Sequence, residues 1–442
     1  MTRSPWIKPG FWNTLEHGIT NAADALSAIV LVWILSTGTF SRLALAQAFV
    51  SACLLFFISP ETILTRDLLR WKQQGAGSLL AMLSALRYFG WIKWMASIGI
   101  SAVVSAVGYG TGPEAWTRFW ALVWAFSLVL APQVGGADRE FLRRELRLKE
   151  LNLITLYRKL SFTTGTVVVA FVWPERLDLL ALVACVVLIT SAAMTQWQAR
   201  KWIFHELGGS REEARSVSAR EVLKLSFNSY SIWVHIAASL SNWVQSMDLF
   251  FLGVFLGAGH EAGLYAIVLK LANFSAPLPI ALANGVSLWV SRREAGDPEL
   301  EREKLRRFSF WFIAAVGLQA LTIWLLSPWA FRFLSHGRWS AIEQTSMTHW
   351  LAWILAGTAM ASSTQLARMW LQLRADMRDI CLRLHLPWAV SSAVMYGLAA
   401  WGWGIPGAAM ANVLSSAVLI VLASLAYRLP SHRRTAEAES GG

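Results

Sequence analysis

Charge is scarce in this chain. Only 15% of its 442 residues are Asp, Glu, Lys or Arg, 55% are hydrophobic, and the mean hydropathy is +0.46. That leaves too little polar surface for a soluble protein of this size. The three cysteines, at positions 53, 185 and 381, stand far apart in or at the end of apolar stretches. Without paired spacing they read as small packing residues, not as disulfides or metal ligands. His17, His235 and His349 lack a second ligand at i+3 or i+4, so no metal site is expected. No G-x-x-x-x-G-K-[ST] loop is present to cradle ATP phosphates, and neither is a G-x-S-x-G elbow or an H-E-x-x-H pair. A large outward loop with clustered carboxylates, which a membrane glycosyltransferase or ligase needs for metal and acid chemistry, is missing too. These absences argue against an enzyme, and no catalytic residue or cofactor is expected.

What the chain has in abundance is apolar sequence. Twelve stretches stand out, at about 18 to 38, 43 to 62, 88 to 109, 114 to 134, 153 to 173, 177 to 197, 230 to 257, 262 to 290, 308 to 327, 348 to 370, 382 to 403 and 405 to 427. Each is close to the roughly 20 residues that a helix needs to cross a bilayer core. The chain therefore reads as all-α, a polytopic membrane protein of about 12 transmembrane helices.

The basic residues orient it. With Met1 on the cytoplasmic side, 33 of the 39 Lys and Arg fall in the inside gaps. The opposite gaps hold Arg42, Arg118, Arg176, Arg332 and Arg338, and Lys270 is left inside a span. This asymmetry predicts that both termini are cytoplasmic. It also accounts for the net charge of +12 by anionic lipid headgroups facing the inside loops, with no need for nucleic acid. The first apolar run follows Arg3 and Lys8 but has no cleavage site behind it, so it reads as a retained helix. The preceding stretch from Trp6 to Glu16 mixes Trp, Phe and Lys and is expected along the cytoplasmic membrane surface.

The longest inside connection contains Gly208-Gly209 and a Ser-, Arg- and Glu-rich stretch, and it divides the chain in two. The expected organisation is an N-terminal six-helix lobe over 1–198, a cytoplasmic linker over 199–223, a C-terminal six-helix lobe over 224–428 and a cytoplasmic tail over 429–442. Transporters are often built from duplicated halves with the substrate path between them.

A charge at membrane depth is costly unless it faces a cavity or a partner, which makes ionisable residues inside spans functional candidates. Here they are Asp24 in the first span, Asp248 in the seventh and Lys270 in the eighth, with Glu61 and Arg66 near an end of the second. Lys270 has two readings. It is either a structural cation, paired with Asp248 or Asp24 or snorkelling towards water, or a point charge lining a central cavity and attracting a phosphate group. Asp24 and Asp248 are candidates for coupling to an ion gradient, because protonation changes their charge and biases two conformations; each also has a bland reading as a residue near a helix end that meets water. Asn21, Asn242 and Asn273 lie nearest these charges and could bind sugar hydroxyls, although amides at depth mostly join helices to one another. Many of the 25 tryptophans, among them Trp12, Trp71, Trp173, Trp202, Trp329, Trp339 and Trp401, sit near span ends, where interfacial belts belong. Trp33, Trp243 and Trp289 lie deeper and read as core packing or sugar platforms.

One stretch carries a resemblance. Asp248-Leu-Phe-Phe-Leu-Gly-Val-Phe-Leu-Gly257, followed by Ala262-Gly-Leu-Tyr-Ala-Ile-Val-Leu-Lys270-Leu-Ala, resembles the seventh and eighth helices of the polysaccharide- and O-antigen-flippase branch of the multidrug/oligosaccharidyl-lipid/polysaccharide (MOP) exporter superfamily. In that branch an Asp opens an apolar run, a short turn ends in Gly-x-Tyr-Ala, and a Lys follows in the next helix. The first half is similar more loosely, through the turn at Thr37 to Arg42 before Leu43-Ala-Leu-Ala-Gln47. A Gly-rich turn usual after the first helix is replaced here by Gly38-Thr-Phe-Ser-Arg42.

The resemblance implies a two-lobed MOP fold in a bacterial inner membrane and a flippase for polyprenyl-pyrophosphate-linked oligosaccharide, serving exopolysaccharide or lipopolysaccharide synthesis beside polymerase or glycosyltransferase machinery. The implied cavity residues are Lys270, Asn273, Asn242, Asn21 and Arg66, with Asp24 and Asp248 as coupling or ion-pair residues. Two further readings stay open: a cation-coupled multidrug exporter of the same superfamily, and an enzyme acting on the same lipid carrier.

Overall fold

In hydrocarbon every backbone amide and carbonyl must find its partner within the segment, so long apolar stretches fold as helices. The computed structural model of the protein describes residues 23–57, 71–109, 112–145, 147–207, 229–275 and 298–427, with positions 68, 224 and 279 besides. Among them the structure is helical, with no strand. In chain order the helices are α1 (Ala23–Ile34), α2 (Thr37–Cys53), α3 (Ala76–Tyr109), α4 (Pro113–Val134), α5 (Gly136–Arg144), α6 (Leu148–Val172), α7 (Leu177–Leu207), α8 (Ser229–Val244), α9 (Met247–Phe255) and α10 (His260–Ala272). After these come α11 (Pro298–Ser335), α12 (Ala341–Ser363), α13 (Gln365–Arg374), α14 (Met377–Ile380), a π-helical turn at Cys381–His385, and α15 (Leu386–Tyr427). The fold is all-α and polytopic, as the hydropathy pattern predicts. The expected surface segment from Trp6 to Glu16, most of the linker and the tail lie outside the described residues.

Six described stretches are long and apolar enough to cross a membrane on their own: Thr37–Phe56, Ala76–Val107, Pro113–Arg144, Leu177–His205, Arg306–Ser335 and Met377–Ala426. The start of the first expected span and most of the second half of the eighth lie outside the described residues; the rest of the difference from twelve spans has local causes. Helix α6 opens with Lys149 and Glu150 and carries Arg158 and Lys159, which dilute its hydropathy. Helix α12 opens with Glu343 and Gln344 and is dilute for the same reason. The seventh span is broken into α8 and α9 around Ser246, and the eighth is interrupted after Ala272 by a short 3-10 turn. The last two spans form one long helix kinked at Gly404, whose φ of 58° is in the left-handed region that glycine occupies freely. Pro406 follows, and its missing N–H keeps the hydrogen-bond ladder open there.

The contacts group the chain into two compact units. One comprises residues 1–36 and 49–235; the other comprises residues 37–48 and 236–442. In the first, Leu79, Met82, Leu83 and Leu86 recur at helical spacing along α3 and pack on Phe141 and Leu142 of α5 and Ile203 of α7. Inside this unit Arg87 and Asp138 form a buried bidentate pair, with Nε 2.7 Å from Oδ2. In the hydropathy reading Arg87 is an inside-loop charge; α3 starts a full three turns before it and carries it into the core. In the second unit, the first turns of α2 lie against α10, where a Cβ on Gly263 would collide with the Thr37 carbonyl. Small residues allow such close helix approach.

Large apolar side chains are heavily exposed, as a lipid-facing surface requires. Trp401, Trp329 and Trp173 are among them and fit an interfacial belt. Trp71 and Trp339 do not; both are buried, Trp71 within the α3 core cluster. Trp202 lies under the Arg147 guanidinium, whose carbon is 3.1 Å from the ring centre. Trp243 packs edge-on against Phe250, while Trp12 and Trp289 fall outside the described residues.

Candidate functional site

The break between α8 and α9 decides the surroundings of Asp248. Had the seventh span been one helix, this residue would sit mid-helix; instead it lies in the first turn of α9, where the partial positive charge of the helix start favours a carboxylate. Asp248 is 2% exposed, so the water-facing reading of this residue does not apply. One oxygen accepts from the Leu249 amide at 2.7 Å and the other from the Tyr265 hydroxyl of α10 at 3.0 Å. Tyr396 of α15, also buried, is within electrostatic reach, so the carboxylate sits among neutral hydroxyls. Tyr265 belongs to the Gly-x-Tyr-Ala turn that the resemblance singles out, although not as a partner of Asp248; nothing in the local sequence marks Tyr396, which the packing of α15 brings in.

The interruption after Ala272 does the same for Lys270. In place of a position deep inside a long eighth helix, it occupies the last turn of the shorter α10, where the carbonyl-rich end favours a cation. Its Nζ donates to Gln47 Oε1 of α2 at 3.1 Å, and the side chain is half-buried. Lys270 and Gly263 thus lie a short way apart along α10 and both meet the opening stretch of α2. Asn273 caps α10 through its backbone and is exposed, and Asn242, near the end of α8, is exposed as well.

Asp24 belongs to the first unit. Lys159 of α6 donates from Nζ to both Asp24 oxygens, at 2.6 and 2.7 Å, and the Asp24 side chain is 51% exposed. One turn on, Ser27 donates to Thr163, which donates in turn to the Ala23 carbonyl, so α1 and α6 are joined by matched polar pairs. The structural pairing open to Asp24 is made with Lys159. Asn21 and Arg66 lie outside the described residues.

The second unit holds Asp248, Lys270, Asn242, Asn273 and Gln47, of which Lys270 and Gln47 are in contact, while Asp24 stands in the other. Chemically, this unit offers a buried carboxylate held by neutral donors, a cation on a short helix end and two accessible amides. Such an arrangement can bind and be biased by charge.

No known family profile and no curated protein matches the chain. Solved structures do. The lipid II flippase MurJ in an inward closed conformation superposes with a TM-score of 0.63 at 9% identity, over 96% of this chain and 88% of that one. An inward-facing multidrug resistance MATE transporter of the MOP superfamily superposes with a TM-score of 0.58 at 13% identity, over 93% and 94%. The fold is that of MOP-superfamily transporters. A MOP-superfamily transporter from Pyrococcus furiosus gives a TM-score of 0.51 at 13% identity over 95% of this chain. The structures it superposes on are transporters and a flippase, not enzymes, and its own six long apolar stretches suit the same multi-pass fold. Identities this low carry the architecture and leave substrate to the residues.

Proposed function

We propose that this protein is a flippase that carries a polyprenyl-pyrophosphate-linked oligosaccharide across the bacterial inner membrane for surface polysaccharide synthesis. It works by alternating access, with both termini cytoplasmic and two six-helix lobes. The observation that carries the reading is Lys270, a half-buried cation at the end of a short helix in the MOP fold, bonded to the Gln47 amide. A compact ammonium attracts a pyrophosphate as a point charge and repels cationic drugs. Asn242 and Asn273 offer amides for sugar hydroxyls, and Asn21 and Arg66 complete the set that the family resemblance implies. Membrane lipids, a polymerase and glycosyltransferases are the expected partners. Asp248 is assigned to coupling, and Asp24, held by Lys159, to a structural ion pair.

A second reading, a cation-coupled multidrug exporter, draws on Asp248. A carboxylate buried among neutral groups is where a bound cation or proton has most effect on conformation.

The test is a mass-spectrometric profile of polyprenyl-linked sugars, with their leaflet accessibility, in cells depleted of the protein and rescued with wild type or Lys270→Ala. A complete lipid-linked oligosaccharide is expected to accumulate on the cytoplasmic side, cured by wild type alone, with normal membrane abundance of the variant. An unchanged lipid profile rejects the flippase and directs attention to drug efflux. Full rescue by Lys270→Ala removes the lysine from the path.

A further inference from the structure

A second set of polar side chains in the C-terminal unit is used by none of these roles. Between α14 and α15 the chain makes one π-helical turn, Cys381–His385, a local widening that recurs at functional sites. It leaves His385 only 2% exposed, with Nδ1 3.0 Å from the Ser241 hydroxyl of α8. A serine hydroxyl has one proton, and Ser241 donates it to the Ala237 carbonyl at 2.9 Å. Nδ1 therefore carries the ring proton and donates to Ser241, and the neutral ring presents Nε2 as a bare acceptor. That atom is buried and meets no donor among the described residues.

Arg368 of α13 faces the next turn after His385 and is near enough for its charge to act on the ring. Its guanidinium carbon is 5.9 Å from the centre of the Trp388 ring. One terminal nitrogen donates to the neutral amide oxygen of Gln365 at 3.0 Å; the Nε–H is buried and has no acceptor among the described residues. No described carboxylate pairs with this arginine. A guanidinium whose Nε–H is buried without an acceptor is costly, and a bare buried acceptor in the same region adds to the cost. A phosphate bearing a hydroxyl answers both and also neutralises the charge: a negative oxygen for the arginine, and a hydroxyl hydrogen for Nε2.

We propose that Arg368 and His385, with His385 positioned by Ser241, form a binding site for a phosphate that carries or adjoins a hydroxyl. A sugar phosphate and the headgroup of phosphatidylglycerol share that chemistry. The site goes beyond the flippase reading and does not require it, since binding is measured on the purified protein and its failure leaves Lys270 untouched.

The full chain, stripped of lipid in a non-ionic detergent, is titrated with glucose 1-phosphate, glucose or sulfate while its thermal unfolding is followed. Glucose 1-phosphate is expected to stabilise it saturably, and glucose to have no effect. Arg368→Gln should weaken the response about tenfold or more, as loss of a charge-assisted hydrogen bond does. His385→Leu should keep sulfate binding while erasing the preference for glucose 1-phosphate over it. Arg368→Lys retains the charge without the Nε–H and is expected to fall between; with His385→Leu it carries the test if Arg368→Gln does not fold. The lipid source is read by native mass spectrometry from nanodiscs of phosphatidylglycerol or phosphatidylcholine. Retained phosphatidylglycerol that Arg368→Gln releases assigns the site to lipid. Equal binding of every probe by wild type and variants, or no response to any probe, overturns the proposal.

Discussion

Asp24 and Asp248 are chemically the same group on corresponding early helices of the two halves, yet the fold treats them in opposite ways. The first unit neutralises its charges in pairs: Asp24 with Lys159, Arg87 with Asp138, Lys72 with Glu145. The second holds Asp248 with an amide and a phenol, and Arg368 with a glutamine amide. A paired charge is electrostatically settled, and its neighbours gain little from a further ion. A charge held by neutral dipoles still attracts a counter-ion or a proton. The difference assigns structural work to the charges of the first unit and leaves those of the second available to a ligand.

The largest expected effect tests the structural half of that contrast. Arg87→Leu leaves Asp138, 1% exposed, as a lone buried carboxylate. Breaking one side of a buried pair costs about 3–5 kcal/mol. Thermal unfolding in detergent should show a steep loss of stability, and the double variant Arg87→Leu with Asp138→Leu should recover most of it. A double variant no better than the single would mean that the pair is needed for more than mutual neutralisation.

Much of this architecture is legible in the sequence, and the exceptions share a cause. The alternation of basic loops and apolar runs predicts a polytopic helical protein, and the boundary placed between residues 403 and 405 coincides with the Gly404 kink because Gly and Pro punctuate the chain locally. The break at Ser246 is flanked by Asn242, Gln245 and Asp248, and the one after Ala272 precedes Pro277 and Pro279, local signals that a hydropathy window averages away. The breaks nevertheless decide that Asp248 and Lys270 sit at helix ends. Lys159 is 135 residues from Asp24, and Tyr396 is 148 from Asp248, so neither partner is visible to a reading by periodicity. Arg368 and His385 pass unnoticed for a different reason. They stand at the inner ends of the tenth and eleventh apolar stretches, beside the basic residues of an inside gap, and the burial of the histidine at the π-helical turn is not visible in the pattern.

The two aspartates themselves give the next effect in size. Asp248→Asn keeps an oxygen for Tyr265 but introduces an amide nitrogen into a buried site, at a cost of about 1–3 kcal/mol. Asp24→Asn gives up an accessible ion pair, worth about 0–1 kcal/mol. In transport assays across an imposed ion gradient, Asp248→Asn should flatten the dependence on that gradient and Asp24→Asn should leave it intact. The reverse result would move coupling into the first unit and dissolve the contrast drawn above.

The smallest effect is a control on burial. Glu343 also lies in the second unit but at the accessible start of α12, where it closes a capping box: Ser340 Oγ accepts from its amide, and its carboxylate accepts from the Ser340 amide at 2.6 Å. The Ser340 amide, and then His260 with Nε2 at 2.8 Å, hold this carboxyl below its ordinary value of 4.5. A carboxyl whose value is lower in the folded state stabilises the fold above the unfolded value, and that contribution is lost as pH falls through the folded one. Glu343→Gln retains an acceptor for the box, so at neutral pH it should cost less than about 1 kcal/mol. It should also make unfolding less sensitive to acid below pH 4.5 than in wild type. If burial, and not membership of the second unit, is what makes Asp248 responsive, Glu343→Gln will leave the gradient dependence of transport where wild type has it. A flattened dependence in this variant would place the responsive element in the unit as a whole.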